Sequence, residues 1–362
     1  MSAPGLFDRA GLAALYCLEP EAAHNAALWA LERGLVGHRK PPNDPILATT
    51  LWGLSFKNPI GLAAGFDKDA RVIDAILSLG FGFVEAGTVT PLPQPGNPKP
   101  RLFRLEEDRG VINRLGFNSG GVDAFVERLK QRRARPHHAG IVGANVGKNK
   151  ATEDGAADYA IGIEKVAPFA DYLVCNISSP NTPGLRALQA RAPIEDLLTR
   201  ALAARARALP NATNLPPLVV KIAPDLSDEE MRDVAEISLA LKLDGIMIGN
   251  TTLARGPELR SRWSNEAGGL SGEPLFALST RRVAQMYQLT EGRIPLIGTG
   301  GIASGAQALA KIRAGASLVQ VYSALVFEGP GLAARIARDL ANLLKSGGFS
   351  SVAAAVGADH RA

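Results

Sequence analysis

Eight short aliphatic runs, each followed by a stretch of helical spacing, constrain this chain more than any other feature. The runs are Ile60–Ala64, Gly82–Gly87, Gly140–Val146, Tyr172–Ile177, Leu218–Ala223, Gly245–Gly249, Pro295–Gly298 and Leu318–Tyr322. Leu218-Val219-Val220 and Ile246-Met247-Ile248 have no polar alternation, as strands buried on both faces require. Between the runs, Asp69–Leu79 sets Val72, Ile73, Ile76 and Leu77 on one helical face. Ser227-Asp228-Glu229-Glu230 is a capping box that opens a helix carrying Met231, Val234 and Ile237. Ser304–Ala314 and Gly331–Leu344 read as the last two helices. Strand then helix, repeated, predicts an α/β fold: a (β/α)8 TIM barrel with an N-terminal helical extension. A doubly wound open sheet is the alternative. Polar residues after every run favour the barrel.

Two segments stand outside the repeat. Pro91–Pro100 followed by Arg101–Leu105 reads as a loop and an added strand. The leader before residue 45 reads as two helices, Leu12–Leu18 and one from Pro20 to about Val36. Pro suits a first helical turn because its missing N–H would be unpaired there anyway. His24, Leu28, Leu31 and Leu35 fall on one face of the second helix. Lys40-Pro41-Pro42-Asn43-Asp44-Pro45 then makes a stiff linker. Such a hairpin is either a packed lid or a surface-binding device. Leu28, Leu31 and Leu35, beside Arg33, His38, Arg39 and Lys40, suit an anionic lipid surface.

A chain of 362 residues admits two domains or one extended barrel. Its net charge of +5 is mild. The densest basic run, Lys130-Gln131-Arg132-Arg133-Ala134-Arg135, closes a predicted helix, where the macrodipole favours cations. No aromatic residues interleave it, so no nucleic-acid face is expected. The two cysteines, Cys17 and Cys175, form neither a disulfide framework nor a metal cluster. A reducing compartment is the default. No apolar run reaches the roughly 18–20 residues of a membrane span. Ala10–Leu18 lacks a basic flank and a cleavage site, so it is not read as a signal peptide.

In barrels of this kind the chemistry sits at the carboxyl ends of the strands. There the chain places Ala64-Gly65-Phe66-Asp67-Lys68, Gly87-Thr88, Asn145, Asn176 to Gly184, Lys221, Asn250-Thr251-Thr252, Gly298-Thr299-Gly300-Gly301 and Tyr322-Ser323. The set has no carboxylate pair of the glycosidase kind and no metal-ligand cluster. His24, His38, His137, His138 and His360 all lie elsewhere. Amide side chains donate and accept in fixed geometry, so Asn residues converging with Lys suit a planar, anionic, amide-bearing substrate. Gly298 to Gly301, ahead of a helix near Ser304, suit a phosphate cradle, or else a tight turn. Gly268 to Gly272 would close its other side. Lys68 and Lys221 need anionic partners, either ligands or Asp67 and Asp225.

Ala63-Ala64-Gly65-Phe66-Asp67-Lys68, Asn113-Arg114-Leu115-Gly116-Phe117-Asn118, Asn176-Ile177-Ser178-Ser179-Pro180-Asn181-Thr182-Pro183-Gly184, Asn250-Thr251-Thr252 and Gly268-Gly269-Leu270-Ser271-Gly272 together resemble dihydroorotate dehydrogenase. The match runs from about residue 45 to 345. The leader resembles the membrane-associating extension of the quinone-linked class 2 enzymes. The resemblance implies a segment 1–44 for membrane association, quinone access and linkage, and an FMN-binding barrel over 45–362. It implies oxidation of dihydroorotate to orotate in pyrimidine synthesis. FMN would be held by Ala64, Gly65, Thr88, Asn145, Asn176, Lys221, Gly272, Gly301, Tyr322 and Ser323. Substrate would meet Lys68, Asn113, Arg114, Leu115, Gly116, Phe117, Asn176, Asn181, Asn250 and Thr251. Ser179 would be the base, where class 1 enzymes carry Cys. Gly249 departs from relatives whose Thr there contacts the flavin.

The chain has no NAD fingerprint and no iron–sulfur cysteines, so a membrane quinone is the expected final acceptor. His24, Arg104 and Tyr322 are candidates to meet its head. The expected setting is a monomer held peripherally by lipid, at the cytoplasmic face of the inner membrane. A fumarate-linked class 1 enzyme and a flavin-free phosphate-binding lyase or isomerase are the rival readings. A binding protein without activity is more distant, since polar groups at every strand end would lack purpose.

Overall fold

A computed structural model describes residues 6–136, 139–182 and 184–361; His137, His138 and Pro183 lie outside them. The leader forms α1 (Leu6–Tyr16) and α2 (Pro20–Glu32). Glu19 caps α2 by accepting from the Glu21 and Ala22 N–H groups, both at 3.1 Å. The helix ends before Val36 because Gly34, at φ +67°, closes a Schellman turn with the Leu35 N–H on Ala30 O at 2.9 Å. Leu35 thereby leaves the expected face and is exposed, while Leu28 and Leu31 are buried in the main core. The expected lipid face is thus corrected. Among the described residues of the leader, the exposed large apolar side chains are Leu18, Trp29 and Leu35.

A short hairpin follows, β1 (Thr49–Leu51) and β2 (Leu54–Phe56), then β3 (Ile60–Leu62) and α3 (Ile73–Leu77). The helix predicted from Asp69 starts late because the Asp67 carboxylate captures the Arg71 and Val72 N–H groups, each at 2.8 Å, and holds that stretch as a loop. Next come β4 (Phe83–Val89), β5 (Leu102–Leu105), β6 (Gly110–Asn113), α4 (Val122–Arg133), β7 (Ile141–Val146), α5 (Gly155–Val166), β8 (Tyr172–Asn176) and α6 (Arg191–Ala208). The chain continues through β9 (Leu218–Ile222), α7 (Asp228–Ala240), β10 (Gly245–Ile248), β11 (Gly269–Gly272), α8 (Phe276–Leu289), β12 (Leu296–Thr299) and α9 (Gly305–Arg313). It ends with β13 (Ala316–Val321), α10 (Ala324–Glu328), α11 (Leu332–Ser346) and α12 (Val352–Ala355). The Ser227 capping box on α7 is present in full.

The eight predicted strands close into a parallel barrel in the order β3, β4, β7, β8, β9, β10, β12, β13. Phe83, Tyr172, Val174, Val219, Met247, Ile297 and Leu318 fill its amino end, sealed from below by Phe56 and Trp52 of the hairpin. Two missing side chains make room: a Cβ at Gly61 would lie 2.3 Å from the Phe83 ring, and one at Gly143 2.1 Å from the Tyr172 ring. Outside the barrel, β5 pairs with β6 and β6 with β11. The Gly268 to Gly272 segment is therefore chiefly a strand, and its last residue, Gly272, reaches the barrel mouth at φ +92°. Leu270 fixes it by burying against Phe103, Leu105 and Ile112. Among the described residues no helix is long and apolar enough to cross a membrane.

Candidate active site

Strand side chains alternate, so the residue two places beyond each floor residue points inward one layer higher. From Phe83, Val174, Val219, Ile297 and Leu318 this rule gives Glu85, Asn176, Lys221, Thr299 and Gln320. Asn145 joins them from β7. Glu85 is fully buried and accepts from Asn145 Nδ2 at 2.7 Å, Gln320 Nε2 at 2.7 Å and the Tyr172 hydroxyl at 3.3 Å. Lys221 Nζ lies 3.9 Å from the same carboxylate. Burial pushes the Lys221 amine below its usual range, and Glu85 opposes the shift. Asn145 Oδ1 accepts from the Thr88 hydroxyl at 2.6 Å, and Asn176 Nδ2 donates to Thr88 Oγ1 at 2.9 Å. Asn250 Nδ2 reaches Ser178 Oγ at 2.9 Å, and Ser178 Oγ donates to Asn176 Oδ1 at 2.7 Å. Glu85 and Gln320 lie below the strand ends and so escape a reading of those ends alone, while Thr299 and Ser178 stand at strand ends but were assigned no role. A carboxylate inside the otherwise apolar β4 was the available signal.

Above this layer opens a cavity of about 260 Å³. Its wall includes Ala64, Gly65, Lys68, Thr88, Asn113, Leu115, Gly116, Phe117, Asn176, Ser179, Asn181, Lys221, Asn250, Thr251, Gly272, Gly301, Tyr322 and Ser323, together with His24 and Arg104. Two expected site residues stand behind it. Asn145 is fully buried and orients Thr88 and Asn176. Arg114 turns away because Glu266 holds its guanidinium at 2.6 Å and Phe103 lies beneath it at 4.6 Å. Its carbonyl accepts from Asn97 Nδ2 at 3.0 Å, and the same amide donates to Asn181 O at 3.0 Å. Asn181 N–H in turn donates to Ser179 Oγ at 3.3 Å.

Lys68 donates to Asn118 Oδ1 and not to Asp67. Burial, aided by Arg101, holds its amine at about 7, against the pull of Glu21 and Asp69. Asp225 pairs with Arg186 at 2.8 Å and is not the partner of Lys221. The hydroxyls of Thr182 and Thr251 are buried without a hydrogen-bond partner. Gly249 takes φ +118°, and a Cβ there would lie 2.4 Å from Thr299 O, so a side chain at that point has no room.

The far end of the cavity is apolar and lined by Leu12, Leu15, Tyr16, Ala23, His24 and Ala27 of the leader. The His24 ring stands edge-on to Phe66 at 5.2 Å, and Phe66 edge-on to Tyr322 at 5.8 Å. Burial lowers the His24 imidazole to about 4, so it is neutral at pH 7. Arg104 lies over the Tyr16 ring at 4.3 Å. The leader is bolted to the barrel by Glu21 with Arg101 (2.7 Å) and Glu32 with Arg71 (2.7 Å), and its own two ends are tied by Asp8 with Arg39 (2.6 Å).

The family model described as dihydroorotate dehydrogenase matches residues 46–344. A dihydroorotate dehydrogenase (quinone) of Azorhizobium caulinodans is 62% identical over 342 residues, covering 94% of this chain and 96% of that protein. One from Xanthobacter autotrophicus is 61% identical over 345 residues, covering 95% and 96%. Among solved structures, the Eimeria tenella DHODH in complex with ferulenol superposes with a TM-score of 0.91 at 43% identity, covering 95% of this chain and 96% of that one. The chain belongs to the dihydroorotate dehydrogenase family, in its class 2 branch.

Proposed function

We propose that this chain oxidises dihydroorotate to orotate, with FMN as hydride acceptor and a membrane quinone as final electron acceptor, in the synthesis of pyrimidines. The observation that carries the reading is the continuity of one cavity. It joins the amide and lysine lining of the barrel mouth to the apolar lining of α1 and α2. A small anion and a lipid-soluble oxidant can thus approach the same point from opposite sides.

The residues fit a flavin monophosphate. Lys221 offers a buried cation beside a carboxylate that three other groups already bond. Gly300 and Gly301 take φ +106° and +76° at the cavity wall, and a Cβ at Gly301 would lie 2.5 Å from the Phe276 backbone. Such side-chain-free turns let backbone N–H groups approach a phosphate. Ala64, Gly65, Thr88, Asn176, Lys221, Gly272, Gly301, Tyr322 and Ser323 would hold the cofactor, with Asn145 behind them. Bound FMN supplies a two-electron acceptor that passes its electrons to the quinone.

Lys68 would pair with the substrate carboxylate. Asn113, Asn176, Asn181 and Asn250 would bond the planar ring, and Thr251 would find there the partner it lacks. Leu115, Gly116 and Phe117 would close over it, and Arg114 would act through its carbonyl. Ser179 Oγ would take the proton from the carbon next to the carbonyl. As it does so its own hydroxyl proton would leave, the Asn181 N–H steadying the partial negative charge on the oxygen, and the neighbouring Thr182 would be the next carrier of that proton. Cys175 takes no part: burial pushes its thiol up to about 12. His24, Arg104 and Tyr322 would meet the quinone head. Residues 1–44 serve as the membrane and quinone segment and 45–362 as the FMN barrel. The enzyme works as a monomer attached at the cytoplasmic face of the inner membrane, and the exposed Leu18, Trp29 and Leu35 support the lipid contact in that reading.

The purified protein should be yellow, release FMN on denaturation, bleach with dihydroorotate without oxygen, and regain colour with a quinone. A colourless protein, or a yellow one that dihydroorotate leaves unbleached, refutes the reading.

A further inference from the structure

Lys311 has no exposure at all, although it is a lysine on the helix that follows a barrel strand. An ammonium sealed from water needs compensation. Its Nζ donates to Ser279 Oγ at 2.6 Å and lies 5.2 Å from the centre of the Phe276 ring. No carboxylate lies within ion-pair distance of it among the described residues. Burial alone accounts for an amine held at about 7.

The surroundings of this lysine are specific. Its stem occupies the space above Gly298, where a Cβ would lie 2.6 Å from Lys311 Cδ. Ser279, its hydrogen-bond partner, is 3.0 Å from Gly300 O and 3.1 Å from Phe276 O. With one hydroxyl proton, Ser279 can receive from Lys311 and donate onward to Gly300 O. A trans peptide directs its N–H away from its C=O. The Gly300 carbonyl faces Ser279, so the Gly301 N–H of the same peptide faces the other way, toward the cavity that both glycines line.

We propose that Lys311 is a positioning residue for the cofactor phosphate, acting through Ser279 and the Gly300–Gly301 peptide from outside the barrel wall. The inference rests on the FMN reading above. The ammonium polarises the hydroxyl, the hydroxyl polarises the peptide, and the peptide N–H becomes a stronger donor to an oxyanion. The phosphate dianion is the counter-charge that the buried amine lacks in the protein alone.

The test compares FMN with riboflavin, which shares the ring system and lacks the phosphate. Full-length protein purified with its flavin is diluted and flavin release followed by fluorescence. Rebinding of FMN and of riboflavin is then titrated. Lys311→Met, which keeps the length and removes the charge, should release FMN faster and bind it about 10- to 100-fold more weakly. Riboflavin affinity should stay within about twofold, as the ring contacts are untouched. Lys311→Gln, which keeps a donor for Ser279 but no charge, should show the same selective loss and serves if the Met variant does not fold. Equal losses for FMN and riboflavin, or no loss of either, would overturn the inference and leave the FMN reading intact. A wild-type protein that does not prefer FMN to riboflavin would overturn both.

Discussion

Lys68 and Ser179 share one cavity wall but should answer to pH differently. With the Lys68 amine at about 7, the charged form that holds a carboxylate is present below that pH and fades above it. Orotate binding should therefore weaken by about tenfold per unit as pH rises beyond that point, until the pKa raised by the bound anion is passed. Titrating the flavin absorbance with orotate from mildly acid to alkaline pH checks this, and Lys68→Met should bind weakly with a flat profile. Ser179→Ala should keep the flavin and bind orotate, yet slow flavin reduction about 10²- to 10⁴-fold in a stopped-flow trace. Ser179→Cys should recover part of that rate, more at higher pH, as the thiolate forms. Lys221→Met should loosen the flavin and spare orotate affinity per bound flavin. At this scale the strand-end residues were legible because strand spacing places them. Arg114 was not, since its side-chain direction is set by Glu266, far along the chain.

The helices and strands divide in the same way. The barrel strands could be read from the sequence because continuous aliphatic runs leave few alternatives. The end of α2 could not be, since a single glycine turn moved Leu35 off its face. That shift changes how the leader should be tested. Deleting it would strip Leu28 and Leu31 from the core and leave Arg101 and Arg71 without their carboxylates. Point changes are cleaner. Leu18→Glu with Leu35→Glu should reduce binding to anionic vesicles and turnover with a long-chain quinone, while flavin reduction by dihydroorotate stays unchanged. Equal quinone turnover would remove these residues from membrane docking. Arg101 links the leader to the substrate side, because its Nη1 atom also holds Pro95 O at 2.7 Å and Asn97 O at 2.8 Å. Glu21→Gln should cost about 1.5–3 kcal/mol of stability, the worth of a charged hydrogen bond. It should also raise the dihydroorotate concentration needed for half-maximal flavin reduction. A thermal melt and the same stopped-flow assay measure the two effects.

Across the whole molecule, the three tryptophans fall in three separate places. Trp52 closes the barrel floor, its indole N–H on Asp244 O at 2.6 Å. Trp263 lies against Phe103 in the added sheet, with ring centres 5.6 Å apart. Trp29 stands out from α2 with 52% of its surface exposed. The chain therefore carries its own optical label for the end that would meet lipid. Vesicles should shift part of the emission to shorter wavelength, and bromine-labelled acyl chains should quench that part alone. Trp29→Phe should erase both signals while leaving vesicle binding by sedimentation nearly unchanged. Quenching that persists in this variant would mean that a different face of the protein rests on the bilayer.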